Sequence, residues 1–356
     1  MPHSTARIPV AVLGATGTVG QKLVRLLEHH PWFEVAAVTA SDANAGRRYG
    51  DAVRWRESTP LPDPTSQLIL TPSGDPIAGP LAFSALDTDS AAIIEPLWAA
   101  AGSLVVTNAS PFRLTPDVPL LIPEVNPSHL GLLERQRHGR GWKGGIVANP
   151  NCTTTGLVLA LAPLHRRFGV ERLFVSTMQA ISGAGWPGVA SLDIQGNVIP
   201  FIANEEEKVE RETRKLLGTL GAGGSEIADS PITLSVHTNR VPVVDGHTEC
   251  VSVGFASRTT PGAVAATLRE WRAEPRIAGL PSSPEAPIWV DDRADRPQPR
   301  LDLDRGRGMT GTVGRIRPCP LLDVRFVLLS HNTVRGAAGA TIQNAELLVA
   351  EGSVTR

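Results

Sequence analysis

The residues best suited to chemistry lie where an apolar run meets a helix. "IVANPNCTTTGLVLAL", Ile146 to Leu161, breaks at Asn-Pro-Asn and presents Cys152 before three threonines. A free cysteine usually behaves as a small buried hydrophobe. Here Pro150 stiffens the approach, and Asn151 or a neighbouring threonine can cap the helix that follows. The dipole and open N–H groups of a helix mouth favour thiolate, so Cys152 is a candidate nucleophile. A free thiol titrates near about 8.5, so a lowered value or an adjacent base is needed at neutral pH. Histidine is the expected base. Of the nine present, His3, His29, His30, His129, His138 and His165 read as surface residues in tails, loops or helix ends. His237, His247 and His331 fall near strand boundaries in the second half, and His247 shares "NRVPVVDGHTECVSV" with Arg240, a cation able to orient an anionic substrate beside the base.

A second chemical feature is "GATGTVG", in which Gly14, Gly17 and Gly20 follow the G-x-x-G-x-x-G spacing of a dinucleotide turn. Glycine permits a sharp turn and close approach to a pyrophosphate, and the next helix supplies unpaired N–H groups. The candidate cofactor contacts are Gly14, Thr16, Gly17, Thr18 and Val19, with the two threonines adding hydroxyls. An acid at the end of the second strand serves the ribose 2′-hydroxyl of NAD; a 2′-phosphate favours hydroxyls and arginine. In "TASDANAGRRYG", Asp42 speaks for NAD, while Ser41, Arg47 and Arg48 speak for NADP, and the balance favours NADP.

These residues need elements to hold them. The turn sits between the apolar run Val10–Leu13 and a helical spacing at Val19, Leu23, Leu26 and Leu27, and "FEVAAVTAS" completes a βαβ unit. "PLAFSALD", "SLVVTNAS" and "GGIVANPN" read as further strands, with "TDSAAIIEPLWAAAG" as a helix between the first two, which predicts a parallel, doubly wound sheet. Residues 60–80 read as an irregular excursion. The Cys152 helix is expected to stop at Gly169. Beyond it, "RLFVSTMQAIS", "SPITLSVHTNRVPV", "HTECVSVGFAS" and "LDVRFVLLS" read as strands and "NEEEKVERETRKLLG" and "TPGAVAATLREWRAE" as helices, an α+β arrangement on a largely antiparallel sheet. Residues 281–320 read as long surface loops with a short strand at "APIWV", and the tail ends in a helix.

Composition narrows the partner. The 356 residues are 42% hydrophobic, enough for more than one large core, and carry a net charge of −1 without a basic block, which argues against nucleic acid and anionic membranes. No run of eighteen apolar residues and no signal-peptide core occurs, so a soluble, cytoplasmic protein with a small-molecule substrate is expected. The three cysteines, Cys152, Cys250 and Cys319, cannot all pair and are not spaced like zinc ligands, so reduced thiols and no metal are expected.

In order along the chain, "GATGTVG", "NASPFR", "NPNCTTT", "QAISGAG", "NEEEK", "NRVPVVDGHTE" and "HNTVRGAAGA" resemble the aspartate-β-semialdehyde dehydrogenase family, particularly its archaeal and fungal branch. The resemblance implies an NADP-binding Rossmann domain over 1–150 and a catalytic and dimerisation domain of the glyceraldehyde-3-phosphate dehydrogenase-like type over 151–331. The C-terminal helix within 332–356 is then expected to pack back on the first domain. The implied reaction is reversible conversion of β-aspartyl phosphate to the semialdehyde plus phosphate, in the biosynthesis of lysine, threonine and methionine, by a homodimer or homotetramer. Carried onto this chain, Cys152 is the thioester-forming nucleophile, Asn151 its substrate-side neighbour, Gln179 the residue positioning the intermediate and His247 the acid/base. Arg240 grips the substrate carboxylate, Arg113 and Lys208 bind phosphate, and Glu205 meets the substrate amine. Ser182, Gly183 and Asn332 are implied to contact the nicotinamide end. Most other charges of "NEEEKVERETRK" read as a solvated helix face. The alternatives are a related acyl-reducing enzyme, malonyl-CoA reductase or N-acetyl-glutamyl-phosphate reductase, and a non-catalytic NADP-binding protein.

Overall fold

The computed structural model describes residues 7–224 and 226–354; His3 lies outside them. Its first sheet has six parallel strands, β1 (Ile8–Leu13), β2 (Phe33–Ala40), β3 (Leu70–Pro72), β4 (Leu81–Ser84), β5 (Leu104–Thr107) and β6 (Gly145–Ala148), in the order β3-β2-β1-β4-β5-β6. Every residue of β4, β5 and β6 is buried, as a sheet covered on both faces requires. β1 shows how: Val10 and Val12 join the core under helices α1 (Thr18–Leu27) and α7 (Gly339–Ala350), while Ala11 and Leu13 face a second core with Trp98 of α2 (Thr88–Ala101). The remaining longer helices are α3 (Leu132–Arg140), α4 (Cys152–Phe168), α5 (Glu205–Leu216) and α6 (Pro261–Glu270). Strand order reverses between β1 and β4, the topological switch at which such sheets open a ligand crevice.

The second sheet has the order β10-β7-β11-β14-β13-β12, formed by β7 (Val170–Gln179), β10 (Thr233–Arg240), β11 (His247–Phe255), β12 (Ile288–Asp291), β13 (Gly311–Pro318) and β14 (Val324–Ser330). A small antiparallel pair, β8 (Thr219–Leu220) and β9 (Ile227–Ala228), lies apart from it. The sheet is more mixed than expected. β10 pairs parallel with β7 and β12 with β13, while the three central pairings are antiparallel. The connection from β7 to β10 carries α5, and a crossover of that length is what parallel pairing needs. Helix α4 joins the two halves, since its buried Leu157, Leu161 and Leu164 share one core with Val251, Val253, Phe326 and Leu328 of the second sheet.

Two regions read as irregular contain strands. Residues 60–80 hold a short helix, Asp63–Ser66, and β3, an edge strand of only three residues. Residues 281–320 hold β12, which was expected, and β13, which was not. Its glycines conceal it: a Cβ on Gly311 would lie 2.9 Å from the Ile288 side chain, and one on Gly314 would collide with the Arg296 carbonyl. Two histidines expected at the surface are buried. His30 pairs with Glu346 at 2.7 Å, and His129 meets Asn126 at 2.8 Å and the Gly218 carbonyl at 3.2 Å. Among the described residues no helix is long and apolar enough to cross a membrane, and Cys152, Cys250 and Cys319 are all unpaired.

Candidate active site

β6 ends at Ala148, three residues short of the Asn151 that caps α4. The Asn151 Oδ1 accepts from the N–H groups of Thr153 (2.9 Å) and Thr154 (3.2 Å), so the cap takes two first-turn donors and Cys152 becomes the first residue of the helix. Asn151 is itself held twice from α5. Its Nδ2 donates to Glu205 Oε1 (2.9 Å), and its backbone N–H donates to Glu212 Oε2 (2.6 Å). On the opposite side a Cβ on Gly336 would fall 2.6 Å from the Cys152 Cβ, so only glycine lets the C-terminal segment pass this close.

The Cys152 Sγ lies 3.2 Å from His247 Nε2. His247 opens β11, and its Nδ1 accepts the Ala180 N–H at 3.1 Å. This network assigns the ring proton to Nε2, so His247 offers sulfur a hydrogen rather than a lone pair. The direction is the reverse of the expected thiol-to-base hydrogen bond, and the Ala180 N–H is the reason. Burial, with Arg240 and His331 nearby, depresses His247 to about 3 and keeps the ring neutral.

The thiol also departs from expectation. Burial pushes Cys152 up to about 12, helped by the charge of Glu205, and the opposing pull of Arg113, the Thr153 N–H and Arg240 does not cancel it. Enclosure outweighs the helix mouth. A cation against Glu205 would remove the second of the two causes.

The other expected side chains converge from the ends of the same strands. Gln179 ends β7 in register with Arg240, which ends β10; both are buried, and the Arg240 Nη1 donates to the Ala180 carbonyl at 2.8 Å. Ala180 thus orients His247 through its N–H and Arg240 through its oxygen. A Cβ on Gly183 would lie 2.9 Å from the Arg240 Nη1 and 3.0 Å from His247, which explains glycine there. Asn332 donates to the Ser182 hydroxyl (2.7 Å) and accepts the Gly246 N–H (2.8 Å), tying three loops beside His247. Arg113 reaches in from the loop after β5 and is buried with an unpartnered Nε. Lys208 sits one turn beyond Glu205, half-buried.

The cofactor-side residues gather around the first turn. Gly14 has φ +70°, and its Cβ would be 2.9 Å from the Ala85 carbonyl; a Cβ on Gly20 would strike the Gly14 carbonyl. Gly17 caps α1 without any side-chain acceptor, leaving the N–H groups of the Thr18–Val19 end open to an anion. Thr16 is fixed by the Gln21 Nε2, which donates to its carbonyl at 2.8 Å. Ser41, Arg47 and Arg48 lie on the loop after β2, and buried Tyr49 ties that loop to the glycine turn by donating to the Ala15 carbonyl at 2.8 Å. Arg47 donates to Asn44 Oδ1 (3.0 Å) and to the Asp51 carbonyl (2.8 Å).

Several contributors escaped the sequence reading. In a segment most of whose charges read as a solvated face, Glu212 and Lys215 are buried: Glu212 bridges Arg113 and Asn151, and the Lys215 Nζ donates to the carbonyls of Arg113 (2.8 Å), Thr115 (2.9 Å) and Val118 (2.9 Å). The signal was available for Glu212, since Glu205, Val209, Glu212 and Leu216 fall on one helical stripe with two apolar members. Arg335 is also buried, paired to Glu124 at 2.6 Å. Trp186 stacks under Arg56 (3.9 Å) and Arg54 (5.5 Å), linking the loop after Gly183 to the segment that Gln21 holds.

Comparison with known proteins adds independent findings. Residues 9–133 match the family model described as semialdehyde dehydrogenase, NAD binding domain, and residues 161–335 match semialdehyde dehydrogenase, dimerisation domain. The chain is 49% identical over 347 residues to an aspartate-semialdehyde dehydrogenase of Archaeoglobus fulgidus, covering 97% of this chain and 99% of the relative. It is 45% identical to that of Candida albicans, covering 96% and 98%. A crystal structure of the Candida albicans aspartate-semialdehyde dehydrogenase with NADP superposes with a TM-score of 0.90 at 43% identity, covering 98% of this chain and 100% of that one.

Proposed function

The chain belongs to the semialdehyde dehydrogenase family, and on that premise we propose how its own residues carry the family's chemistry. The reaction is reversible: L-aspartate 4-semialdehyde, phosphate and NADP give L-4-aspartyl phosphate, NADPH and a proton. The open α1 mouth, the glycines that a Cβ would block and the Ser41–Arg48 loop fit NADP, with Gly14, Thr16, Gly17, Thr18 and Val19 at the pyrophosphate and Ser41 and Arg47 at the 2′-phosphate. When bound, the cofactor accepts the aldehyde hydride, or returns it in the reverse direction.

The observation that carries the reading is the 3.2 Å approach of Cys152 Sγ to His247 Nε2, at the head of a helix capped by Asn151. Once its proton has passed to solvent, the Cys152 thiolate adds to the aldehyde carbon; loss of the aldehyde hydride leaves the acyl group on sulfur as a thioester, and phosphate attack on that carbonyl, with release of the phosphate proton, gives the acyl phosphate and returns the thiolate. His247 keeps its proton at Nε2 against the charge that builds on sulfur and on the substrate oxygen. Substrate assists its own nucleophile, because its ammonium group against Glu205 offsets a charge that holds the thiol up. Arg240 takes the carboxylate as a planar fork, and Arg113 and Lys208 receive phosphate. Gln179 positions the acyl group, and Ser182, Gly183 and Asn332 face the nicotinamide.

We further propose a cytoplasmic homodimer or homotetramer built on the open face of the second sheet. There β10 alternates exposed and buried residues and Phe174 of β7 is 42% exposed. The deciding experiment is a steady-state assay with semialdehyde, phosphate and NADP on the wild type and Cys152→Ser. We expect phosphate-dependent NADPH formation that the substitution lowers by at least about three orders of magnitude with NADP binding intact. Turnover of malonyl-CoA with none of the semialdehyde would overturn the substrate assignment.

A further inference from the structure

We propose that Glu212 is a positioning residue that locks the phosphate-binding arginine to the backbone of the catalytic cysteine. Its two carboxylate oxygens serve two different segments. Oε1 accepts from Arg113 Nη1 at 3.1 Å, and Oε2 accepts from the Asn151 N–H at 2.6 Å, one residue before Cys152. Glu212 itself is buried on the α5 stripe that also carries Val209 and Leu216.

A carboxylate here is costly on two counts. Burial pushes its proton affinity up, and its charge opposes any anion that Arg113 is to receive. Geometry is the compensating gain. Arg113 is fixed at both terminal nitrogens, Nη1 by Glu212 and Nη2 by donation to the Asn108 carbonyl at 2.6 Å, while its buried Nε has no protein partner. The guanidinium is therefore immobilised with a donor left for a ligand. Lys215, three residues along α5, anchors the rest of that loop through three carbonyls. One helix thus fixes where phosphate waits and where the thioester forms, and a shared carboxylate sets the distance between them. Attack on a thioester depends steeply on such placement.

The inference rests on the assignment of Arg113 to phosphate. The test uses the full-length enzyme in the oxidative direction, with inorganic phosphate varied at saturating semialdehyde and NADP, for E212Q, R113A and the double variant. Gln can accept from one of the two donors but not both. E212Q is expected to lower kcat/KM for phosphate at least tenfold while the Kd for NADP stays within twofold, a split that general destabilisation would not give. The double variant is expected to lose less than the product of the single losses. If R113A keeps kcat/KM for phosphate within twofold, the phosphate assignment fails and takes the inference with it. If R113A loses it while E212Q stays within twofold of wild type, or the two losses multiply, the inference alone is overturned. Should E212Q not fold, E212D, which keeps the charge and shortens the reach, is held to the same figures.

Discussion

The protein builds the same local device twice, a parallel strand running through a turn into a helix, and finishes the two helix mouths in opposite ways. At β1–α1 the cap is Gly17, which has no side chain to accept a hydrogen bond, so the first N–H groups of α1 are left for a ligand. At β6–α4 the cap is Asn151, whose side-chain oxygen takes the Thr153 and Thr154 N–H groups, so those two donors are withheld from an external anion. In the proposed function the first mouth is a receptor and the second is a mount. A strand–turn–helix therefore does not by itself declare an anion site; the cap residue decides. The same contrast explains the glycines, which in the first turn keep backbone close to backbone, while the second turn uses Pro150 and Asn151 to hold one thiol still.

Titration of the mounted thiol separates the two mouths by the widest margin. If the Cys152 mouth behaved as an open dipole, the thiol would ionise below its usual value and its reactivity would level off near neutrality. Enclosure instead raises it to about 12, and a raised thiol is protonated throughout the neutral range. The thiolate fraction then grows tenfold per pH unit. Alkylation of Cys152 by iodoacetamide in the ligand-free enzyme, followed by mass spectrometry of its peptide, is expected to accelerate about 100-fold between pH 7 and 9 without a plateau. A plateau below pH 9 would show that the helix mouth wins after all.

A second test gives the receptor mouth the cap it lacks. Gly17 has φ −74° and ψ 167°, an ordinary extended conformation, and a Cβ there would sit 3.4 Å from the Gly14 carbonyl, so Gly17→Ser fits without strain. The serine hydroxyl would accept an N–H of the α1 first turn. We expect the helix to hold or gain stability while affinity for NADP falls about tenfold, because a protein acceptor now competes for donors meant for phosphate oxygens. Undiminished NADP binding in a calorimetric titration would mean that the open cap is not what recognises the cofactor.

The two mouths were also unequally legible. Spacing alone exposed the Gly14–Gly20 turn, because its requirements are local: a strand, glycines at fixed offsets and an amphipathic helix. Cys152 and its neighbours were recognisable, but the state of the thiol was not, since that depends on His247, Glu205 and Arg240 arriving from elements up to 95 residues away. Glu212, Lys215 and Arg335 were missed for the same reason; a charge inside a charged helix reads as solvated until its distant partner is known. Strand β13 was hidden by glycines that serve tight packing against Ile288 and Arg296, and β3 by its three-residue length. Parallel pairing of β7 with β10 could not be read from strand patterns, because it is set by the crossover rather than by either strand.

The smallest expected effect comes from removing the cap that the mount does have. Asn151→Ala deletes one acceptor serving two N–H groups and the donation to Glu205, and leaves the backbone bond to Glu212 in place. Loss of an Asn cap costs about 1 kcal/mol, and a chain of this size spreads that over a large unfolding entropy, so thermal denaturation should shift down by only about 1–3 °C. The sign is the informative part. Gly17→Ser and Asn151→Ala are reciprocal edits, one adding a side-chain cap and one deleting it, and the comparison requires them to move Tm in opposite senses or, for the former, not at all. Calorimetric scans of the two variants beside the wild type check this. A fall of Tm in Gly17→Ser as large as that in Asn151→Ala would show that the first mouth is uncapped for reasons of packing rather than to keep its N–H groups free.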